Sequence, residues 1–582
     1  IAHKNDDSKH ISIFCSACQQ TVHPYHLLYH KKTHKALTLL GFDCQTKTDN
    51  KILLAQRQKL ISTLTKIPKY SETHRQKIDY SFEFLMDNHT PTSQCDFANI
   101  TPSTFKKVSN SLIKALSICQ DKNSTWQGDM EDRFIVLDNY GNRADTCFLG
   151  VVDGSHGVTA AETVAAELPL LFLDQLAQMD SSYKKSKDEQ QILDSLATVF
   201  KADYREKEKI FSEKPESDET NKANTYEWIH KAYAKSFWRM DRLLRLGRNE
   251  VSKVRWSGCS AVTCLVERIP SEETDGTEEE ERKHSENMPS PSPRTAKGVA
   301  GLLHIANAGN THAVLCKNGK SHCLSKEHST SNVSERKRIL QNGGNISTNE
   351  PDGLVEGYLR TTRGLGHHGD PVLKRSVIPV PHTVSVPIDD SCEFLILASN
   401  GLWEVLDYNE VLALTLTTFT HYLRTYECLQ PNGTSPYKCQ YLMPFTEDNL
   451  NDPKAINDLQ DGIEILYSNE DICLAESKGN LKQKKMNSKL FCDKPASYTG
   501  QELLKTVSPV ASKPPPQFEK DPKTYPSNCE PQTAGRGKVT SETVYDNAAS
   551  YISEQLVKTA IAAGSRDNIT ILIILLSGCS KI

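Results

Sequence analysis

Apolar positions follow two different spacings along the chain, and these spacings predict both strands and helices. Residues 148–152, Phe-Leu-Gly-Val-Val, form an apolar run of strand length that ends at an Asp-Gly pair. Residues 158–177 and 224–247 instead carry apolar side chains three and four positions apart, which predicts two long helices with one buried face. Residues 569–576 are the longest apolar run. They predict a strand, because a helix that spans a membrane needs about 20 residues.

Acidic residues stand next to two of the predicted strands. Glu131 and Asp132 come before one apolar segment, and Asp153 with Gly154 closes the next. Gly154 lets the backbone turn sharply, so its carbonyl oxygen can face the same point as the Asp153 carboxylate. Hard divalent cations prefer such clusters of oxygen ligands. The pattern therefore predicts a metal site at the ends of two neighbouring strands.

Three later segments complete a recognisable order of motifs. They are residues 302–318 (LLHIANAGNTHAVLCKN), 393–406 (EFLILASNGLWEVL) and 564–575 (GSRDNITILIIL). Together with the two acidic segments they resemble the PPM-type, metal-dependent protein phosphatases, which are the type 2C Ser/Thr phosphatases. The resemblance covers residues 116–577 and implies an α+β fold, in which two packed antiparallel sheets form a β-sandwich flanked by helices.

The resemblance also implies a set of metal ligands, several of which this chain retains. Asp153 is expected to bridge two ions and the Gly154 carbonyl to bind one of them. Glu131 and Asp132 are expected to act nearby, largely through water, and Asp567 to close the second site. Mg²⁺ or Mn²⁺ held in this way lowers the pKa of a water molecule that attacks phosphorus.

Other metal positions are substituted. The family motif S-D-G-L-W-D reads Ser-Asn-Gly-Leu-Trp-Glu here, so Asn400 stands where a ligand carboxylate is expected and Glu404 is one methylene longer. The family motif G-D-S-R likewise becomes Gly-Asn-Thr-His, with Asn310 in place of an acid. Two lost negative charges predict weakened Mg²⁺ or Mn²⁺ binding.

Substrate handling is altered as well. The family has a phosphate-binding Arg four residues before Glu131, where this chain has Gln127, and a neutral amide cannot replace the charged fork of Arg. The family's D-G-H-G-G becomes D-G-S-H-G, so Ser155 takes the place of the histidine that protonates the leaving group and His156 is displaced by one position. Two further histidines, His367 and the next residue, are expected to face solvent in a loop.

Residues 1–40 predict a separate small module. Cys15, Cys18, His30 and His34 have the spacing C-x2-C-x11-H-x3-H, similar to a two-Cys, two-His zinc finger, whose middle spacing is usually about twelve. The two histidines lie one helical turn apart and can face a Cys turn, which suits Zn²⁺. The choice of ligands stays open, because two spare histidines lie between the pairs, His23 and His26.

The remaining segments predict connectors and inserts. Residues 41–115 have a mostly helical pattern and are interpreted as a connector. Residues 268–298 and 424–540 interrupt the phosphatase-like domain and are rich in polar residues and proline. Because they contain few apolar groups to offset the entropy of ordering, both inserts are predicted to be disordered.

Composition adds only weak bounds on function. The net charge of -4 favours no nucleic-acid or membrane partner. The 17 cysteines are scattered, and without a secretory signal they predict free, buried thiols in an intracellular protein, either cytoplasmic or nuclear. Oligomeric state is not indicated.

Three hypotheses follow. The preferred one is a catalytically impaired pseudophosphatase with a binding or regulatory role, whose partners include phosphoproteins. The second is an active Mg/Mn-dependent Ser/Thr phosphatase with unusual ligands. The third is a nucleic-acid-associated adaptor that acts through the N-terminal finger, although nucleic acid is not the expected partner.

Overall fold

The computed structural model describes eleven segments of the chain: residues 12–15, 17–43, 49–66, 72–87, 100–197, 226–245, 253–269, 298–347, 353–428, 464–468 and 541–582. Within them the structure is a sandwich of two β-sheets with helices on both outer faces. The predicted α+β architecture is therefore confirmed. No helix in these segments is both long and apolar enough to span a membrane.

The first sheet contains six strands in the described part of the chain, and every pair of adjacent strands in it is antiparallel. In spatial order they are β10 (Lys320–Cys323), β9 (His312–Lys317), β13 (Cys392–Ala398), β15 (Ile569–Leu576), β4 (Ile113–Asp121) and β3 (Thr104–Phe105). The predicted strand at residues 569–576 is thus confirmed, and it lies inside the sheet.

The second sheet is also antiparallel. In spatial order it contains β14 (Tyr467–Ser468), β12 (His382–Ile388), β8 (Gly301–Ala308), β7 (Gly258–Arg268), β6 (Thr146–Ser155) and β5 (Arg133–Leu137), and the short β11 (Leu365–Gly366) also pairs with β7. Residues 424–428 belong to the helix Tyr408–Cys428 and residues 467–468 form β14, so the disorder predicted for residues 424–540 is wrong at these positions. Most of that insert, and most of the insert at 268–298, lies outside the described residues.

Alternate side chains of β15 face opposite layers, which explains its unbroken apolar sequence. Leu572 and Ile574 pack between the two sheets, whereas Ile571 and Ile573 pack under helices on the outer face. Because successive strand residues point to opposite faces, a strand that is covered on both sides must be apolar throughout. Each such side chain contributes about 1.5–3 kcal/mol by leaving water.

Helices cover the outer face of each sheet. On the second sheet they are α4 (Thr159–Met179), α5 (Lys187–Ala197), α6 (Glu227–Leu244) and α7 (Lys253–Trp256). On the first sheet they are α11 (Tyr408–Cys428) and α12 (Ser541–Ala562), and shorter helices connect the strands: α8 (Val333–Gln341), α9 (Pro371–Ser376) and α10 (Asn400–Trp403). The helices predicted at 158–177 and 224–247 are confirmed as α4 and α6.

An N-terminal module packs against the first sheet's helices. It contains β1 (Ile13–Phe14), β2 (Thr21–Val22), α1 (Pro24–Leu39), α2 (Asn50–Leu64) and α3 (Glu72–Met86). Leu40, Leu53 and Ile78 form the small core that joins its three helices. The boundaries proposed above for residues 1–40, 41–115 and 116–577 stay a prediction.

Four cysteines of the strands confirm the prediction of free, buried thiols. They are buried and form no disulfide: Cys147, Cys259, Cys264 and Cys316. Burial raises the pKa of each of these thiols. A protonated, enclosed thiol behaves as a small apolar side chain, so these cysteines are part of the packing.

Candidate functional site

The acidic residues meet where strands from both sheets end. Asp153 lies two residues before the end of β6 of the second sheet, and Asp567 lies two residues before the start of β15 of the first. Asn400 begins α10, directly after β13 and Ser399. Its backbone N–H donates a hydrogen bond of 2.8 Å to Oδ2 of Asp153, which joins the two sheets at this edge.

The side chain of the substituted residue Asn400 forms a hydrogen bond with Asp567, one of the retained metal-ligand candidates. Its amide nitrogen Nδ2 lies 3.0 Å from Oδ2 of Asp567 and donates a hydrogen bond to it. The other carboxylate oxygen of Asp567, Oδ1, accepts a hydrogen bond of 2.9 Å from the backbone N–H of Asn568. Both oxygens of Asp567 therefore already accept hydrogen bonds from the protein, and an N–H group points where the family's carboxylate would face a cation.

Two carboxyl groups at the centre are deeply buried. Burial raises the pKa of Asp132 to about 7, although Oδ2 accepts a 2.9 Å hydrogen bond from the Thr570 hydroxyl. Burial, and then the charges of Asp132 and Asp567, raise the pKa of Asp153 well above its usual value. Both groups therefore bind a proton more readily than an exposed aspartate does.

Glu131 and Gly154 approach each other closely. A Cβ atom on Gly154 would lie 2.5 Å from the Glu131 carbonyl oxygen, so only glycine fits at this contact. The Glu131 carboxylate accepts a 2.9 Å hydrogen bond from the N–H of Gly157, and its own N–H donates to Oδ1 of Asn568 at 2.8 Å. Backbone contacts thus fix the retained acidic segment beside the end of β6.

Glu404 and Asn310, the other two substituted metal positions, also form hydrogen bonds within the protein. Oε1 of Glu404 accepts hydrogen bonds from the Ser565 hydroxyl at 3.0 Å and from the Arg566 N–H at 2.7 Å. The extra methylene of Glu404 thus reaches the turn before Asp567. The backbone N–H of Asn310 donates to the Ser260 hydroxyl at 3.3 Å, and Ser260 is the β7 partner of Asp153. Asn310 therefore lies next to the same centre.

Gln127 contacts the backbone. Its Nε2 donates a 2.7 Å hydrogen bond to the Arg566 carbonyl oxygen, and the Arg566 guanidinium lies 4.5 Å from the centre of the Trp126 ring. The neutral amide is therefore engaged with the protein at the position where the family holds a charged phosphate-binding group. The sequence alone did not reveal that Arg566 lies beside it.

Ser155 is bonded to a histidine from another segment. The Ser155 hydroxyl lies 3.2 Å from Nε2 of His367 and 3.3 Å from the Gly258 carbonyl oxygen. The displaced His156 adopts a left-handed backbone with φ of 58°, and its ring centre lies 5.8 Å from that of His367. Ser155 and His156 of the altered motif therefore lie close to His367, which comes from a distant segment of the chain.

The expectation that His367 and His368 face solvent is wrong. His367 is only 6% exposed because its ring packs over Gly258, and burial lowers its pKa to about 3. The His368 ring lies against α6, with Nε2 2.7 Å from the Asp241 carbonyl oxygen. Polarity suggested an exposed loop, but contacts with α6 and β7 bury both rings.

The predicted zinc ligands come together at the N-terminus. Sγ of Cys15 lies 3.5 Å from Nε2 of His34, Sγ of Cys18 lies 3.2 Å from Nε2 of His30, and the two Nε2 atoms are 2.9 Å apart. All four ligand atoms lie within 4.8 Å of one another. Such separations suit one tetrahedral ion with bonds of about 2.0–2.3 Å. The spare histidines His23 and His26 do not belong to this cluster.

The two candidate metal centres differ in how well their residues fit an ion. At the N-terminus, the ligand atoms of the two cysteines and two histidines all lie within 4.8 Å of one another, which is close enough to bind one ion. At the sheet edge a neutral residue, Asn400, lies among the retained carboxylates, and its amide points its N–H at Asp567. The donor chemistry therefore fits zinc at the N-terminus and fits a pair of Mg²⁺ or Mn²⁺ ions poorly at the sheet edge.

Comparison with known proteins defines the class. A family model described as Protein phosphatase 2C matches residues 277–425. The chain belongs to the protein phosphatase 2C-like family, whose members generally use Mg²⁺ or Mn²⁺. It is 43% identical over 575 residues to human "Protein phosphatase 2C-like domain-containing protein 1", a match that covers 97% of this chain and 89% of that protein. The mouse protein of the same description is 39% identical over 573 residues, covering 97% and 88%.

The solved structures that match this chain have lower sequence identity. A Caenorhabditis elegans sex-determining protein is 14% identical with a TM-score of 0.38, over 96% of this chain and 90% of that one. A phosphatase from Toxoplasma gondii is 13% identical with a TM-score of 0.38, over 82% and 96%.

Proposed function

We propose that this chain is a protein phosphatase 2C-like domain protein whose catalytic centre is impaired and which acts by binding or regulation. The observation that carries the proposal is the hydrogen bond from the Asn400 amide to Asp567. In an active centre, two carboxylates at these positions would share a cation. Here an N–H donor satisfies Asp567 without one, so the edge of the sandwich is stable with less need of an ion.

The chemistry supports strong impairment. An ion bound near Asp153 would neutralise phosphate charge and acidify a water molecule. This chain's own residues supply little else: Gln127 is neutral, and Ser155 cannot protonate a leaving alkoxide at neutral pH. Losing one well-placed electrostatic group typically costs about 2.7–4 kcal/mol, and loss of a general acid about 100- to 10,000-fold in rate. These effects share one site, so they do not simply add.

Weak binding of a single ion is compatible with the retained groups. Asp153 and Asp567 would hold Mg²⁺ or Mn²⁺ only in competition with the hydrogen bonds from Asn400. Phosphoprotein binding at this edge would need that ion, because clustered carboxylates repel a phosphate dianion. Phosphopeptide affinity measured with and without Mn²⁺ tests this part of the proposal.

Phosphate release from phosphoserine and phosphothreonine peptides tests the impairment. We expect no turnover above that of the Asp153→Ala variant at saturating Mn²⁺. Turnover that Asp153→Ala abolishes would establish the second hypothesis, an active phosphatase, because that substitution removes the retained residue expected to bridge the ions.

A second candidate function, zinc binding, is favoured by the N-terminal cluster. We infer that Cys15, Cys18, His30 and His34 bind one Zn²⁺, because four soft or borderline ligands converge within tetrahedral reach. Metal analysis of the purified chain is expected to find one zinc ion, and none after Cys18→Ser. The nucleic-acid adaptor hypothesis stays a prediction, which an electrophoretic mobility shift assay would check.

A further inference from the structure

The zinc-finger-like module shares a hydrophobic core with the phosphatase-like domain. Ile13 of β1 and Leu27 of α1 are almost fully buried, and both belong to the same cluster as Leu402 and Leu406. These two leucines lie in and just after α10, the helix that begins with Asn400. The module therefore shares one apolar cluster with the segment that carries the substituted metal position.

An ion pair joins the same two parts. Nζ of Lys31 donates hydrogen bonds to the Val405 carbonyl oxygen at 2.7 Å and to Oε2 of Glu410 at 2.5 Å. The Glu410 side chain is 1% exposed and that of Lys31 29%, so the pair is largely shielded from water. Lys31 follows the ligand His30 directly, so the position of the metal cluster and that of the ion pair are set by the same turn of α1.

A third contact reaches the segment before Asp567. Gly564 has a left-handed backbone with φ of 90°, and a Cβ atom there would lie 2.6 Å from Cδ2 of Leu28. The Leu28 side chain thus packs over the turn that leads to Asp567. Because Glu404 bonds Ser565 and Arg566, this turn and α10 are themselves connected. One helix of the module therefore touches both segments that meet in the Asn400–Asp567 hydrogen bond.

The part of the module that carries the four ligands, the β1–β2 hairpin and the first turns of α1, has little else to hold it in shape, whereas the core of Leu40, Leu53 and Ile78 joins the end of α1 to α2 and α3. Each strand of its hairpin has two residues, and its own small core is formed by Cys15, Cys18 and Val22. A hairpin of this size is not stable alone in water, and small Cys/His modules typically draw their folding free energy from the metal. Zinc is therefore expected to fix the position of α1.

We propose that zinc in the N-terminal cluster is a structural brace for the edge of the sandwich that carries Asn400 and Asp567. The ion fixes α1, and α1 holds the segments 400–406 and 564–567 in place. The proposal rests on zinc binding as inferred above. It makes the module an integral part of the phosphatase-like domain, with Lys31 engaged by Glu410. Loss of zinc would loosen the edge that carries Asn400 and Asp567 while leaving the inner strands of the sandwich folded.

Hydrogen–deuterium exchange on the full chain tests the brace. We expect that removing zinc with a chelator accelerates amide exchange in 400–406 and 564–567 by about tenfold or more, because local opening controls exchange there. Amides of β8 and β12 in the second sheet, which carry none of the residues of this edge, should be unchanged. Adding zinc back should restore slow exchange.

Matched variants separate the steps. Cys18→Ser should lose zinc and behave like the chelated protein, whereas His26→Ala, an exposed histidine on the same helix, should keep both the zinc and slow exchange. The double variant Lys31→Met/Glu410→Gln retains all four ligands and removes the ion pair without leaving a buried charge. It should keep zinc but show faster exchange in 400–406.

Each outcome has a distinct meaning. Zinc bound with no change in exchange on chelation would overturn the brace while leaving zinc binding intact. Absence of zinc from the purified chain and no uptake of added zinc would overturn both. Neither result bears on the impaired catalytic centre, which the phosphate-release assay tests separately.

Discussion

The amide nitrogen of Asn400 lies 3.0 Å from a carboxylate oxygen of Asp567 and donates a hydrogen bond to it, at a position where the resemblance implies a metal ligand. The backbone N–H of the same residue binds Asp153 at 2.8 Å. A single asparagine therefore contacts two of the carboxylates that the resemblance assigns to the metal centre. Its substitution changes both the charge of the centre and the hydrogen bonds that hold it together.

Restoring the acid at this position should make the fold depend on metal. In Asn400→Asp the donor to Asp567 is lost and a second carboxylate faces the first, so we expect a lower melting temperature in chelator. Mn²⁺ should then raise the melting temperature of the variant more than that of the unchanged chain, because a ligand that binds only the folded state stabilises it. Equal responses to Mn²⁺ in the two proteins would contradict the role given to Asn400.

Removing a buried charge should have the opposite effect. Asp153→Asn is expected to stabilise the metal-free chain by about 1–3 kcal/mol near pH 8, because the amide keeps an acceptor for the Asn400 N–H without a buried negative charge. Urea unfolding in chelator measures the difference. The exposed Asp129→Asn is the matched control and should change stability little.

The sign of the pH dependence follows from the raised pKa of Asp153. The folded chain binds this proton more tightly than the unfolded chain, so the carboxyl favours folding at low pH and opposes it as the pH rises through the folded-state pKa. The gain from Asp153→Asn should therefore be smaller near pH 5 than near pH 8. A destabilising effect in chelator at both pH values would show that the centre does not carry an uncompensated charge.

Gly564 should be intolerant of a side chain for two separable reasons. Its left-handed backbone costs a non-glycine residue about 1–2 kcal/mol, and a Cβ would also press on Leu28. Gly319 has a similar φ of 69° but nothing within 4 Å of the Cβ position. Thermal unfolding should thus show a larger loss for Gly564→Ala than for Gly319→Ala. Equal losses would mean that Leu28 does not pack on this turn.

Restoring the family histidine at position 155 should require a second change. The His367 ring lies 3.2 Å from the Ser155 hydroxyl and fills the space that a larger side chain would need. Ser155→His alone should therefore lower stability by about 1–3 kcal/mol through overpacking.

A double-mutant cycle with His367→Asp, the family's residue after Gly366, measures this coupling. Ser155→His should cost less in the His367→Asp background than in the unchanged chain. Additive effects would show that the two side chains do not compete for space. The same reasoning implies that restoring Gln127→Arg, Asn310→Asp and Asn400→Asp with Ser155→His will give little activity while His367 remains.

Sequence reasoning reached local features far better than contacts between distant segments. The strand at 569–576 and the helices α4 and α6 follow from apolar spacing, because burial on fixed faces leaves a periodic record. The convergence of Cys15, Cys18, His30 and His34 also follows from spacing within one short module. The contacts of His367 with Ser155 and of Lys31 with Glu410 join residues 212 and 379 positions apart, and no local pattern records such pairs.

Calorimetric titration of Mn²⁺ into the metal-free phosphatase-like centre tests the central claim most directly, with the N-terminal cluster already loaded with zinc. We predict at most one weak binding event, which Asp153→Ala removes. Two ions bound at micromolar affinity, both lost in Asp153→Ala, would contradict the claim that the Asn400 hydrogen bond has replaced a cation at this site.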